Sequence, residues 1–202
     1  METAKKRKYR DYLRLISAFL FSFLYVPHLI CYSFSDKIKI QSDITMMASR
    51  VCISMPFIIS LLYFLHNDSY YRTLFYYRIG AVKSLLISWY RPGDKYFIIS
   101  KTLTLGECCL PSHPYSTVLN ANVIGSHFSF RHCTTIGNKK DGDNYNRPYI
   151  GDYVTLGANV IIIGNVHIGN NVTIGAGSVV VKDIPDNCIV AGNPARIIKR
   201  IE

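Results

Sequence analysis

The sequence predicts a mainly β fold, a parallel β-helix of hexapeptide repeats, preceded by a short α-helical unit. Aliphatic residues recur every six positions at Ile150, Leu156, Ile162, Ile168, Ile174 and Val180, with Val154, Val160, Val166 and Val172 two places ahead of their successors. A strand alternates every two residues and a helix returns about every 3.6, so a period of six describes a chain that turns a corner after each short strand. Gly151, Gly157, Gly169 and Gly175 follow the periodic aliphatics, and Asn159, Asn165, Asn170 and Asn171 crowd the bends. Positive φ is open to Gly and tolerated by Asn. Three sextets close one triangular coil, which buries its aliphatics only by stacking on the next.

Taken in chain order, Lys5 to Arg10 is a basic cluster and Leu13 to Phe34 is largely apolar, the pattern of a signal peptide or a membrane span. Arg14, Ser17, Ser22, Pro27, His28 and Ser33 interrupt the run, and no small-residue cleavage site is evident. The expectation is therefore a helical unit capping the open end of the coil, with Pro27 breaking any span. Lys5 to Arg14 with its aromatic neighbours also suits peripheral contact with an anionic membrane, at about 1 kcal/mol per basic residue. Ile53 to Leu65 has the length of a buried helix. Residues 66–91 read as one helix with a stripe of Leu74, Tyr77, Ala81, Leu85 and Ile87, an N-cap at Asn67 or Asp68, and a stop at Pro92 and Gly93.

Lys95 to Leu110 fits a first, imperfect coil. The phase continues through Val118, Ile124, Phe130 and Ile136, then breaks before Ile150, a gap of fourteen read here against an expected twelve. The segment between, Gly137 to Tyr149, is rich in Gly, Asn, Asp and Pro and is expected to project as a loop, where function concentrates. The chain thus divides into a helical, basic and apolar unit (1–94), a β-helix with a protruding loop at 137–149 (95–187), and a closing segment (188–202) containing the turn Ala191 to Pro194.

Residues 1–100 hold fourteen Lys and Arg against six acids, and residues 101–202 nine against seven. The basic residues match no nucleic-acid module, so nucleic acid is not expected as a partner. The six cysteines form no CxxC pair and no metal spacing with the histidines, and read as reduced thiols of a cytoplasmic protein, with or without membrane association. No metal is expected.

His113 lies in LPSHPYSTV, between Pro111 and Pro114. A histidine can take a proton from an alcohol at neutral pH if its other ring nitrogen is held. His127, His132 and His167 are weaker candidates, His167 being a solvated outward position. A β-helix can equally be a non-catalytic scaffold that binds through its loop.

From about Leu105 to Ile201 the chain resembles the hexapeptide-repeat acyltransferases, and within them the serine acetyltransferases and their sugar or polysaccharide O-acetyltransferase relatives. The resemblance rests on LPSHPYSTV, on Ile174 to Pro185 (IGAGSVVVKDIP) and on Val190 to Ile198 (VAGNPARII). It implies a left-handed β-helix, a homotrimer with sites between subunits, acetyl-CoA as co-substrate, and His113 as general base for direct attack by an acceptor hydroxyl. Gly157, Ala158, Gly175, Ala176 and Gly177 would form the pantetheine slot, and Lys182 and Arg196, with Lys199 and Arg200, would meet the phosphates of CoA.

The chain departs from the serine acetyltransferase pattern at Ser112, where the family has Asp, and at Ile98, where an acid is usual. Asn146, Arg147 and Pro148 stand where the family loop has Arg-His-Pro. Arg147 could hold an anionic group on the acceptor, and Asp68 is the match to an acceptor-binding Asp. Two acceptors fit the resemblance, serine or a sugar of a surface polysaccharide or its lipid-linked precursor.

Overall fold

The computed structural model describes residues 2–140, 142–143 and 145–201, so Asp141 and Asn144 of the loop lie outside the described residues. The chain divides after Asp94 into two compact units.

The first unit is helical: α1 (Glu2–Leu20), a 3₁₀ turn (Ser22–Tyr25), α2 (Val26–Ser33), α3 (Lys37–Ala48), α4 (Phe57–Asn67), α5 (Ser69–Ile79) and α6 (Ala81–Ile87). Pro27 lies in the first turn of α2, where its missing N–H is no loss. The break in the apolar run comes earlier, at Phe21. Residues 66–91 form two helices, not one. Gly80, at φ +88°, separates α5 from α6, so the stripe does not continue: Leu74 is buried and Leu85 is exposed. Asp68 caps α5, its carboxylate accepting from the backbone N–H of Tyr70 and Tyr71 at 2.9 and 3.0 Å. Arg78 on α5 forks onto Asp43 on α3 at 2.8 and 3.1 Å, a buried pair held by two hydrogen bonds. His28 is fully buried, with Nε2 2.9 Å from the Tyr76 hydroxyl and Nδ1 3.2 Å from that of Tyr90.

The second unit is a left-handed parallel β-helix of five coils. Its first side stacks β1 (Phe97–Ile99), β4 (Thr117–Leu119), β7 (Thr135–Gly137), β10 (Ile161–Ile163) and β13 (Val179–Val180). The second side stacks β2 (Thr104–Leu105), β5 (Val123–Ile124), β8 (Tyr149–Ile150) and β11 (His167–Ile168). The third stacks β3 (Leu110–Ser112), β6 (Ser129–Arg131), β9 (Thr155–Leu156), β12 (Thr173–Ile174) and β14 (Cys188–Ala191). Cys188–Ala191 therefore still belongs to the coil, and closure falls to β15 (Arg196–Arg200), which returns antiparallel to β14.

All ten periodic aliphatics of residues 150–180 are buried, each stabilising the stack by about 1.5–3 kcal/mol. Upstream the phase slips: Leu119, not Val118, stacks on Ile136 and points inward. The loop is also longer than the sequence reading allowed. β7 and β8 are consecutive sides of one coil, as β10 and β11 are, so the regular spacing is the six of Ile162 to Ile168 and the insertion is eight residues, not two.

Between the second and third sides, Cys108, His127, Tyr153, Asn171 and Asn187 occupy one corner of successive coils, all with positive φ. Beside them runs a ladder of side chains on backbone. Asp186 accepts from the N–H of Asn170, Asn170 from Asp152, and Asp152 from Ser126, at 2.6, 2.8 and 2.7 Å. The ladder dictates glycine next to it: a Cβ at Gly151 would sit 2.6 Å from Asn170 Oδ1 and 2.9 Å from the backbone of Gly169.

Burial first, and the cations Arg72 and Arg91 second, hold the pKa of His28 down to about 4, and His66 is lowered by the same causes. An unfolded histidine titrates near 6.5, so between about 6.5 and 4 the unfolded chain takes up a proton the folded chain refuses. Stability should fall as pH falls through that window. Thermal unfolding from about pH 7 to about pH 4 checks it, and His28→Gln, which cannot titrate, should flatten most of the slope.

Candidate active site

The corner between the third and first sides carries the predicted base. Parallel pairing sets Ser112 against Arg131, but beyond it the backbone bonds of the corner put Tyr115, not His113, level with His132, and His113 lies two residues earlier in the extra length of this corner. In the next coils the place of His132 falls to Ala158 and Ala176, three residues beyond the paired Thr155 and Thr173, and then to Gly192. Backbone bonds tie the column together: Cys133 N–H donates to Tyr115 C=O, Asn159 to His132 and Gly177 to Ala158, at 2.8, 2.9 and 2.9 Å. Coil steps of about 4.8 Å make this strip roughly 19 Å long from His113 to Gly192.

His113 stands out within it. Elsewhere this corner takes four residues from one buried side chain to the next, as in Phe130 to Thr134, Leu156 to Val160 and Ile174 to Ser178. Pro111 to Thr117 takes six. The two extra residues push His113 outward, and it adopts φ +52° in addition to the usual positive-φ residue of the corner, here Ser116. A left-handed residue that is not Gly or Asn costs on the order of 1 kcal/mol. The imidazole is exposed and, among the described residues, makes no hydrogen bond within the chain. Tyr115, half exposed, packs on Tyr96 at 5.3 Å beside it.

Toward the closing end the strip consists of small residues, for separable reasons. Gly157 answers to stacking, since a Cβ there would lie 2.5 Å from the N of Ala176. Gly177 has open space around its Cβ position and φ +72°, so conformation selects it. Ala158 and Ala176 keep the surface low. Beyond Gly192, Ala195 N–H donates to Val179 C=O at 2.8 Å, which folds the closing segment over the last coil. A pocket opens there, lined among others by Lys182, Asp183, Pro194, Ala195 and Arg196. Both predicted phosphate cations thus line one pocket, with exposed side chains.

The acceptor candidates are placed differently. Tyr145 at the loop tip is 91% exposed, but Arg147 on the returning arm is only 9% exposed. Its Nη1 donates to Thr102 Oγ1 at 2.6 Å and to Asn120 Oδ1 at 3.2 Å, its backbone C=O accepts from Asn122, and its buried Nε has no partner. Arg147 therefore ties the loop to the coils. Asp68 belongs to the helical unit and caps α5. Among the described residues no His, Cys, Asp and Glu side chains gather as a metal-ligand set.

Sequence reasoning passed over the two extra residues of the His113 corner and the anchors Thr102 and Asn120. The first was recoverable from spacing. The second was not, because nothing in a sequence tells a loop arginine facing inward from one facing out.

Comparisons with known proteins bear on the fold. Residues 147–182 match the bacterial transferase hexapeptide family (six repeats). An Escherichia coli K12 protein named as a colanic acid biosynthesis acetyltransferase is 49% identical over 100 residues, covering 49% of this chain and 61% of that one. Serine acetyltransferase 2 of Arabidopsis thaliana is 42% identical over 101 residues, 48% of this chain and 31% of that one. The chain thus spans less than two thirds of these curated relatives. Among solved structures, Neisseria gonorrhoeae serine acetyltransferase superposes with a TM-score of 0.69 at 26% identity, covering 87% of this chain and 70% of that one. The soybean enzyme complexed with serine gives 0.68 at 28%, covering 86% and 74%.

If Arg147 is an anchor, Arg147→Ala should cost about 1–3 kcal/mol, because Thr102 and Asn120 lose their donor. The fall in thermal midpoint measures it; an unchanged midpoint would return Arg147 to the acceptor.

Proposed function

We propose, on the likeness to the hexapeptide-repeat transferases, that the chain is an acetyl-CoA-dependent O-acetyltransferase of the serine acetyltransferase type. One observation carries the reading: an exposed histidine, displaced outward by a corner insertion, heads a low strip of small residues that runs to a pocket lined by Lys182 and Arg196. An extended pantetheine arm fits such a strip, and CoA phosphates suit the two cations.

The chemistry needs no covalent enzyme intermediate. His113 takes the proton of the acceptor hydroxyl as its oxygen forms a bond to the thioester carbonyl carbon. The tetrahedral intermediate then expels the thiolate, the C–S bond breaks, and the imidazolium returns its proton to sulfur. The products are an O-acetyl ester and CoA. A homotrimer with sites between subunits, as the resemblance implies, would allow a neighbouring subunit to supply the group that orients the His113 ring.

A saccharide acceptor is the second reading, and the inward Arg147 favours it. An amino-acid acceptor brings a carboxylate that needs a cation, whereas the loop arginine is already bonded to Thr102 and Asn120. The identity with the colanic acid relative points the same way.

Thiol release from acetyl-CoA, measured with L-serine and with a panel of mono- and oligosaccharides, separates the two. His113→Ala should abolish most turnover and leave CoA affinity nearly intact. Lys182→Ala should weaken CoA binding about tenfold, in line with the loss of one charge-assisted bond. Turnover that survives His113→Ala would remove the base; CoA binding without release for any acceptor would leave a non-catalytic scaffold.

A further inference from the structure

The helical unit carries an inverted amphipathic pattern. On α1, Tyr9, Tyr12, Leu13, Ile16, Phe19 and Leu20 recur at helical spacing and are all exposed, so the apolar stripe faces away from the protein. The opposite side holds the helix to its unit. Asp11 accepts from Cys52 N–H at 3.1 Å and from the Tyr63 hydroxyl at 3.4 Å, Ala18 is buried, and Ser17 meets His66 at 2.8 Å. The pattern recurs on two further helices. Exposed Val26, Ile30 and Phe34 are spaced by four along α2 and its C-cap. Exposed Val82, Leu85, Leu86 and Trp89 share one face of α6 and its extension. Lys83 joins these two helices by donating to Phe34 C=O and to Ser35 Oγ. Phe19, Val82, Leu85 and Trp89 are 77–79% exposed.

We propose that this face of the helical unit docks in the interfacial layer of an anionic lipid bilayer. Charge selects that occupant. α1 carries Lys5, Lys6, Arg7, Lys8, Arg10 and Arg14 against Glu2 and Asp11. An apolar stripe with Phe and Leu, rimmed by cations, is the composition of helices that lie in the headgroup region. A second copy on the same face would set these cations against their own image. Among the described residues no single helix is long and apolar enough to cross a membrane; Lys5–Leu20 and Ser22–Ser33 pass together but are bent by 71°. Such a break at mid-span would leave backbone groups unsatisfied in hydrocarbon, whereas at the interface water reaches them. The docking does not depend on the acetyltransferase reading.

Trp89 is the sole tryptophan of the chain, so its emission reports on this face directly. Purified full-length protein is mixed with phosphatidylcholine vesicles, with and without about 30 mol% phosphatidylglycerol. The expected result is a blue shift of Trp89 emission and co-flotation with the anionic vesicles only, both suppressed by high salt. The exposed-residue variant Ile16→Ser/Phe19→Ser/Val82→Ser/Leu85→Ser should partition at least about tenfold more weakly. Unshifted emission with both vesicles overturns the proposal. So does a higher oligomer, seen without lipid, that the fourfold variant dissolves, since the face would then belong to a second copy.

Discussion

A single coil of this solenoid is one chain thick and encloses nothing, so every buried aliphatic depends on coils above and below being in register. Ile136, Ile162 and Val180 form one inward file through paired strands, and Leu119 extends it. The register also fixes what faces outward: a residue is carried to its neighbour's position one step along, about 4.8 Å away. Extra residues cannot be absorbed inside such a stack and must leave at a corner. The chain does this twice, with eight residues after β7 and two around His113. Those departures hold His113 and Arg147, because there the stack leaves a side chain's direction undetermined.

The corners differ in what lines them, and the difference locates the groove. Between the second and third sides, the Asp186–Asn170–Asp152–Ser126 ladder fills the space beside the backbone, and stacked rings such as His127 and Tyr153, 4.4 Å apart, cover the rest. That corner is closed by its own side chains. Between the third and first sides, Ala158, Ala176 and Gly192 offer no such cover, and the side chains that do bond between coils there, Thr117 accepting from Thr134 N–H and Ser178 from Gly192 N–H, are buried. The accessible strip is therefore the one headed by His113.

The β-helix was legible because its cause is periodic. Six-residue spacing reports a geometry that repeats, and ten buried aliphatics from Ile150 to Val180 answer to it. Where the period weakens, so did the reading. Val118 and Leu119 are adjacent and both aliphatic, and only the pairing of Leu119 with Ile136 decides which points inward. The loop was recognised from composition, but its length could not be judged without knowing which side of the coil it interrupts. Gly80 was read through as part of a helix because the apolar spacing continues across it, although the continuation lies on an exposed face. At the site, His113, Lys182 and Arg196 were visible as residues in motifs, whereas the inward turn of Arg147 follows from Thr102 and Asn120, far away in sequence.

Charge is divided between the two units in a way that separates their tasks. Thirteen basic residues against six acidic ones lie in residues 1–94, and ten against seven in residues 95–202. In a nearly balanced β-helix, Lys182 and Arg196 place their charge locally at one pocket and attract little from a distance. In the helical unit the excess gathers on α1, the helix that carries an exposed apolar stripe, an arrangement suited to an extended surface. An acceptor free in solution gains nothing from the second arrangement. An acceptor carried on a lipid does, because a docked enzyme meets it on a surface rather than in a volume. The docking proposal thus bears on the saccharide reading of the acceptor and leaves the serine reading untouched.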